Sequence, residues 1–298
     1  MLKTKMIKAS LLGSSSALGL NWIYDKDLLI EYSKDNEVLF TPIDHDLYKK
    51  AKNGFDVYPN SVVGDLDFMG EILYLFNNFL EKNTDISASN WRKIVYNYIK
   101  DDGPYNSYIE KYGTVLISKF EDELSNDKEP QIHTDHEDKQ LIGLALFTAI
   151  YENDKFTNKV EDSLNYAKVF TSYKAIENFT ELLFNLFNDL NNGLEKEQAL
   201  LNNIKYAPKE YQEKLKHSLH KVDTHFFINK FSGVACELDQ SFPLIYHLVA
   251  HNETWEDALT QNAILGGASS ARGIFISAIF NIIDIIPIKY KDMLNTNL

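Results

Sequence analysis

Apolar positions along the chain recur at three- and four-residue spacing. Residues 71–80 (EILYLFNNFL), 91–99, 141–151 and 176–190 each gather them on one face of a helix, whose turn is 3.6 residues. Alternation with a period of two is scarce, so the pattern predicts an all-α protein. Thr254 before Trp255-Glu256-Asp257 reads as an N-cap with early acidic residues. Pro243 after Ser241-Phe242 suits the first turn of a helix over 244–250. A last apolar run, 274–288, is short and carries Asn281 and Asp284. It predicts a buried core helix rather than a membrane span.

Two polar stretches interrupt the helices. Residues 40–65 are long for a structureless connection and predict a segment folded over a pocket. Residues 125–140 (SNDKEPQIHTDHEDKQ) are charged enough to predict a mobile surface loop. No repeat and no linker rich in Pro, Gly or Ser divides the 298 residues, which read as one domain, 1–298.

Charge narrows the partners. A net charge of −13 without a basic run argues against nucleic acid and against an anionic membrane. A small phosphorylated ligand stays open, because one Arg and a helix N-terminus hold a phosphate locally. The single cysteine, Cys236, excludes an intrachain disulfide framework and sets a cytoplasmic expectation. It reads as packing rather than a nucleophile, with no His nearby in sequence. Residues 9–20, apolar but broken by serines and glycines, read as the first helix of the mature protein rather than a signal peptide. His133, Asp135 and His136 in the charged loop are weak evidence for a metal.

Three segments look like turns feeding helices. The first, Gly13 to Asp25, has small residues that let two helices pack closely, then Trp22 and Tyr24, which serve as rim aromatics or as ligand stackers. In the second, Gly64-Asp65-Leu66-Asp67, Asp65 either caps the helix running to Leu80 or, with Asp67, presents a carboxylate to a metal, water or ribose hydroxyl. The third is Leu265-Gly266-Gly267-Ala268-Ser269-Ser270-Ala271-Arg272-Gly273. Its Gly-Gly turn points N–H groups at a ligand, with Ser269 or Ser270 as caps. Arg272 in a first turn opposes the helix dipole and so answers an anion. That anion is either a carboxylate of the Cys236-Glu237-Leu238-Asp239-Gln240 stretch or a ligand phosphate.

In this order the segments resemble the ADP-ribosylglycohydrolase family, which includes dinitrogenase-reductase-activating glycohydrolases and J1-crystallins. The family's Gly-Asp-Ala-Leu-Gly corresponds to Ser15-Ser16-Ala17-Leu18-Gly19, and its Thr-Asp-Asp-Thr to Gly64-Asp65-Leu66-Asp67. Its Gly-Gly-Asp-x-Asp-Thr corresponds to Gly266-Gly267-Ala268-Ser269-Ser270-Ala271. Ser241-Phe242-Pro243 and Trp255 to Leu259 also fit, while Thr171-Ser172-Tyr173 lacks the family's central His. The resemblance implies a compact multi-helix orthogonal bundle and a hydrolase of ADP-ribosyl bonds. It also implies two magnesium ions held by the second and third motifs.

Here Leu66 and Ala268 offer no ligand oxygen, and Ser270 only a neutral hydroxyl, whereas magnesium demands near-octahedral oxygen ligands. The expectation is a divergent branch with no dinuclear metal site and no cofactor. Asp65 is then the expected general base, with Asp25 or Asp67 as acid. Ser16, Trp22, Tyr24, Gly266, Gly267, Ser269, Ser270 and Arg272 are the expected substrate contacts. Two functions stay open. One is a hydrolase of a glycosidic bond in an ADP-ribosyl-like or other ribosyl substrate, an ADP-ribosylated protein included. The other is a non-catalytic pseudoenzyme or crystallin-like protein that binds a nucleotide-like ligand.

Overall fold

The computed structural model describes residues 4–296. Its helices are α1 (Met6–Ser16), α2 (Lys26–Tyr32), α3 (His45–Lys50), α4 (Phe68–Lys82), α5 (Ala88–Ile99) and α6 (Lys111–Ser125). There follow α7 (Ile142–Ala145), α8 (Phe147–Tyr151), α9 (Lys159–Ala167), α10 (Ala175–Asn191) and α11 (Lys196–Asn203). The last are α12 (Lys209–Ser218), α13 (Thr224–Phe231), α14 (Leu238–His251), α15 (Trp255–Leu265) and α16 (Ser269–Ile283). Two isolated bridges, Ile23 with Gly54 and Gln140 with Glu237, are the only β pairing among the described residues. The fold is all-α, as the periodicity predicts.

Helices α1 and α16, one from each end of the chain, form the centre. They touch backbone to backbone: a Cβ on Gly13 would stand 2.0 Å from the Gly273 carbonyl oxygen, and one on Gly273 would stand 2.1 Å from that of Gly13. Ser277 Oγ donates to the Ala9 carbonyl at 2.5 Å and accepts from Trp255 Nε1 at 2.6 Å, which ties α15 to the same crossing. On its other side α1 meets α4, where a Cβ on Gly70 would lie 2.6 Å from Ser14 Oγ. Every residue of α16 from Ser269 to Asn281 is buried, the mark of a helix with no solvent face. One apolar cluster continues from Met6 to Ile286.

Several expectations are revised. The cap of α4 is Asp67, which accepts from Gly70 N at 2.8 Å, and not Asp65. The apolar run 141–151 divides at Leu146 into α7 and α8. Helix α14 begins at Leu238, so Pro243 lies inside it. Proline cannot donate to the carbonyl four residues back, and that carbonyl, of Asp239, accepts instead from Lys214 Nζ at 3.3 Å. The end of the charged loop is anchored rather than mobile: Thr171 Oγ1 donates to the carbonyl of buried Asp138 at 2.6 Å, and Ser172 N to that of His136 at 2.9 Å. The final helix starts earlier and stops earlier than the apolar run, leaving Ile285 and Ile288 exposed. Among the described residues no helix is long and apolar enough to cross a membrane.

The junction of α12, α13 and α14 depends on a neutral histidine. Gln261 Nε2 donates to Thr224 Oγ1 at 3.2 Å, which directs the hydroxyl proton to His247 Nε2 at 3.1 Å. Nδ1–H of His247 then faces the Ser218 carbonyl at 3.1 Å, and His251 Nε2 reaches the same carbonyl at 3.0 Å. Burial first, and the nearby His251 second, lower the His247 pKa to about 4, against a smaller opposing effect of Asp223. A folded pKa below the unfolded one means that this stability is present above about pH 6.5 and is lost as pH falls toward 4.

Two tests follow from this architecture. Gly273→Ala forces a methyl onto the Gly13 carbonyl and is expected to cost about 3 kcal/mol in denaturant unfolding; an unchanged midpoint would mean that the helices part freely. Between pH 7 and 4 the His247 contribution is on the order of 3 kcal/mol. His247→Gln should therefore lose less melting temperature than wild type over that range, and equal losses would remove His247 from the acid sensitivity.

Candidate functional site

The Gly-Gly turn is a clasp whose N–H groups are already engaged. Gly266 and Gly267 take φ of 67° and 64°, the left-handed region that favours glycine. A Cβ on either would stand 2.1 Å from a carbonyl oxygen, of Ile23 and of Val234 respectively. Gly267 N donates to Ile23 O, Ala268 N to Val234 O, Ser269 N to Gly267 O, and Ser270 N to Asn21 Oδ1. The anion expected at this helix start therefore meets no free donor among these four. Ser269 and Ser270 are fully buried, their hydroxyls without a partner.

Arg272 is also turned inward and fully buried. Its Nε donates to Asn262 Oδ1 at 2.9 Å, Nη1 to Val234 O at 2.8 Å and Nη2 to Gly266 O at 2.5 Å. The partners are neutral oxygens, so the expected carboxylate of the 236–240 stretch is replaced by loop carbonyls that burial would otherwise leave without donors. Desolvation lowers its pKa to about 9, with Tyr24 and Cys236 acting in the opposite direction.

Beside this clasp lies a group of buried carboxyls. Asp67 Oδ1 accepts from Ser14 Oγ and from Gly70 N, both at 2.8 Å. Its pKa is raised by burial, against the pull of those two bonds. Glu110 is the N-cap residue of α6, but its side chain makes no capping bond; its carboxyl is buried, with Oε2 unpartnered. Burial, then the charges of Asp67 and Asp138, push it well above the usual carboxylate range. Asp138 is also raised, chiefly by burial. The charge of Glu110 is felt at Tyr24, Tyr58, Tyr105, Tyr108, Tyr112 and Cys236, which together surround it. Burial, then Glu110, raise the Cys236 thiol to about 12, which keeps it from acting as a nucleophile.

A cluster of aromatic rings packs edge to face in the neighbouring segments. Trp22 meets Phe55 at 6.4 Å and 88° and Tyr108 at 5.1 Å and 74°. Tyr24 meets Phe55 at 84°, and Tyr58 meets Tyr108 at 85°. Segment 40–65 is what brings Phe55 and Tyr58 here: Tyr24 N donates to Asn53 O, and Phe55 N to Trp22 O. Trp22 itself has φ of 65°, costly for a bulky residue.

The structure thus brings Trp22 and Tyr24 against the Gly266–Gly267 turn and Arg272, and Asp67 near Glu110, whereas Asp65, Asp25 and Ser16 are engaged elsewhere. Both oxygens of Asp65 are held by the chain, Oδ2 by Val62 N and Oδ1 by Asn295 Nδ2, each at 2.9 Å. Asp25 caps α2 and accepts from Leu28 N and Lys52 N, and these bonds hold its pKa low. Ser16 Oγ donates to Gly13 O within α1. Ser14, Tyr58 and Asp138 lie in segments the sequence singles out without marking these side chains, and Glu110 and Tyr108 lie outside them, Glu110 having only the appearance of an acidic residue before a helix. A magnesium pair does not fit these donors: Leu66 and Ala268 contribute no oxygen, and Asp65 is already clasped. Among the described residues no group of three His, Cys, Asp or Glu is placed to hold a metal.

Arg272→Ala would leave Val234 O, Gly266 O and Asn262 Oδ1 without their donor. It is expected to lower stability by about 3 kcal/mol or more in denaturant unfolding; an unaltered midpoint would mean that the clasp holds without it.

No family model matches the sequence, and no curated protein matches it. A solved structure described as an ADP-ribosylglycohydrolase-related protein complex is similar over 98% of this chain and 94% of that one, with a TM-score of 0.61 at 11% identity. At such low identity the likeness is one of fold: the chain has the all-α ADP-ribosylglycohydrolase-like architecture.

Proposed function

We propose that the protein hydrolyses a glycosidic bond of a ribosyl substrate, with Glu110 as general acid and Asp67 as its ionised partner. The observation that carries this reading is the enclosed Glu110 carboxyl, which has one oxygen unpartnered and lies among tyrosines beside Asp67. Two neighbouring carboxyls resist ionising together. Their surroundings separate them in degree: burial pushes Glu110 well up with no hydrogen bond opposing it, whereas bonds from Gly70 and Ser14 hold back the rise that burial imposes on Asp67. Pairs driven apart in this way divide into acid and base.

Protonated Glu110 gives its proton to the leaving group as the bond at the anomeric carbon breaks. The Asp67 carboxylate stabilises the positive charge that develops on the sugar. Water then adds to that carbon, and its proton passes to Asp67. Trp22 and Tyr24 pack against the substrate, and the Tyr24 phenol, raised to about 12 mainly by burial, stays protonated and able to donate. No step calls on a metal.

The non-catalytic reading draws on a different observation, the near-complete enclosure of Asp67, which is 2% exposed. Kinetics on a panel of ribosides separate the two. General acid catalysis contributes roughly 10²–10⁴-fold, so Glu110→Gln should lower kcat at least about a hundredfold with little change in melting temperature. A chelator should leave the wild-type rate unchanged. Wild-type turnover in the variant would remove Glu110 from the chemistry, and ligand binding without any wild-type turnover would establish the binder.

A further inference from the structure

Ser14, near the end of α1, and Asp67, at the start of α4, meet at one end of that helix pair. At the other end, about 12 Å along the axis of α1, the two helices border a cavity of about 320 Å³. Thr4, Lys5 and Lys8 line it from the head of α1, Asn77 and Glu81 from α4, and Lys291 from the segment after α16. A second cavity, of about 370 Å³, shares Lys5, Asn77 and Glu81 with it and continues to Glu152 and Asp154. The geometry points to the first cavity as a binding site for the oxyanion group, phosphate or carboxylate, of a small organic ligand. None of these residues takes part in the chemistry proposed for Glu110 and Asp67.

Asn77 is left without a partner there. It is 7% exposed, and its Nδ2 is buried and makes no hydrogen bond, a costly state for an amide donor. The side chain borders both cavities. A half turn of its terminal amide offers the N–H groups to a ligand and leaves an acceptor inside, which goes unpaired at less cost.

The head of α1 adds donors and a favourable field. The first N–H groups of a helix have no acceptor within it, and here the first bond of that kind comes from Ala9 N. The chain itself places one carboxylate at this helix start: Glu152 Oε2 accepts from Met6 N at 2.7 Å. The Thr4 carbonyl, four residues before Lys8, is held by Asn281 Nδ2 at 2.9 Å. Lys5 at the cap and Lys8 in the first turn oppose the helix dipole unless an anion stands between them. Lys8 meets only Asp292, at 3.9 Å, whose side chain is 98% exposed. Lys5 and Lys291 form no ion pair among the described residues. Three ammonium groups thus border the cavity with one carboxylate, Glu81, in a chain of net charge −13. The carbonyl end of α4, which would repel an anion, is covered by Lys155, whose Nζ donates to Leu80 O at 2.5 Å. Glu152 and Asp154 border only the second cavity, so the first keeps its positive balance.

Titration calorimetry with inorganic phosphate and with succinate, in about 0.1 M chloride to screen diffuse attraction, tests the site. At least one of the two is expected to bind once per chain with a Kd near or below about 1 mM, and the tighter one identifies the group that the ligand carries. Asn77→Leu removes an unpaired buried donor, so the melting temperature should stay level or rise while binding weakens about tenfold or more. Lys291→Gln, at the rim of the cavity, should also weaken binding, and Glu81→Gln should tighten it. No binding of either anion overturns the inference. So does binding that Asn77→Leu and Lys291→Gln both leave intact.

Discussion

Everything in this fold depends on two glycines in contact. With no side chains at Gly13 and Gly273, the backbones of α1 and α16 come together at a distance that any Cβ would prevent. That crossing sets the turn after α1 beside the turn before α16, although nearly the whole chain separates them in sequence. Gly70 repeats the device between α4 and α1, which places Asp67 against Ser14. Three distant turns thus converge because small residues let three helices approach. Packing at this density leaves no room to adjust, so the positions of the site groups follow from the helix crossings.

The convergence is stabilised by donors that in other contexts would face a ligand. Arg272 and the Gly266–Gly267 turn hold the loop at Val234 and the strand-like residues at Ile23. In the function proposed above, the acid–base role falls to a glutamate enclosed at the head of α6. A low-dielectric interior raises the cost of ionising Glu110 and so keeps it protonated.

Much of the fold can be read in the sequence, because helical periodicity is local. The Thr254 cap of α15 and the apolar face of α4 are written in neighbouring residues. Where competing caps stood two residues apart, as with Asp65 and Asp67, the sequence does not decide; the inward-facing Phe68 and the bond from Ser14 do. The site is less legible for the same reason. Trp22, Tyr24 and Asp67 lie in recognisable turns, but Glu110, Asp138, Tyr58 and Tyr108 come from segments that meet only through long-range packing. The sequence around Arg272 suggests only an anion as its partner, since orphan carbonyls of remote loops leave no trace in a linear pattern.

The backbone at Trp22 carries a wider meaning. A left-handed turn of this kind is easiest for glycine, yet the chain places there the bulkiest side chain it has, donating Trp22 N to Gly267 O at 2.7 Å. Some conformational stability is given up to hold one ring against Phe55 and Tyr108. The strain retained at Trp22 is offset by the hydrogen bond and ring contacts that fix it, so the conformation of that turn is dictated by remote packing and not by its own residues.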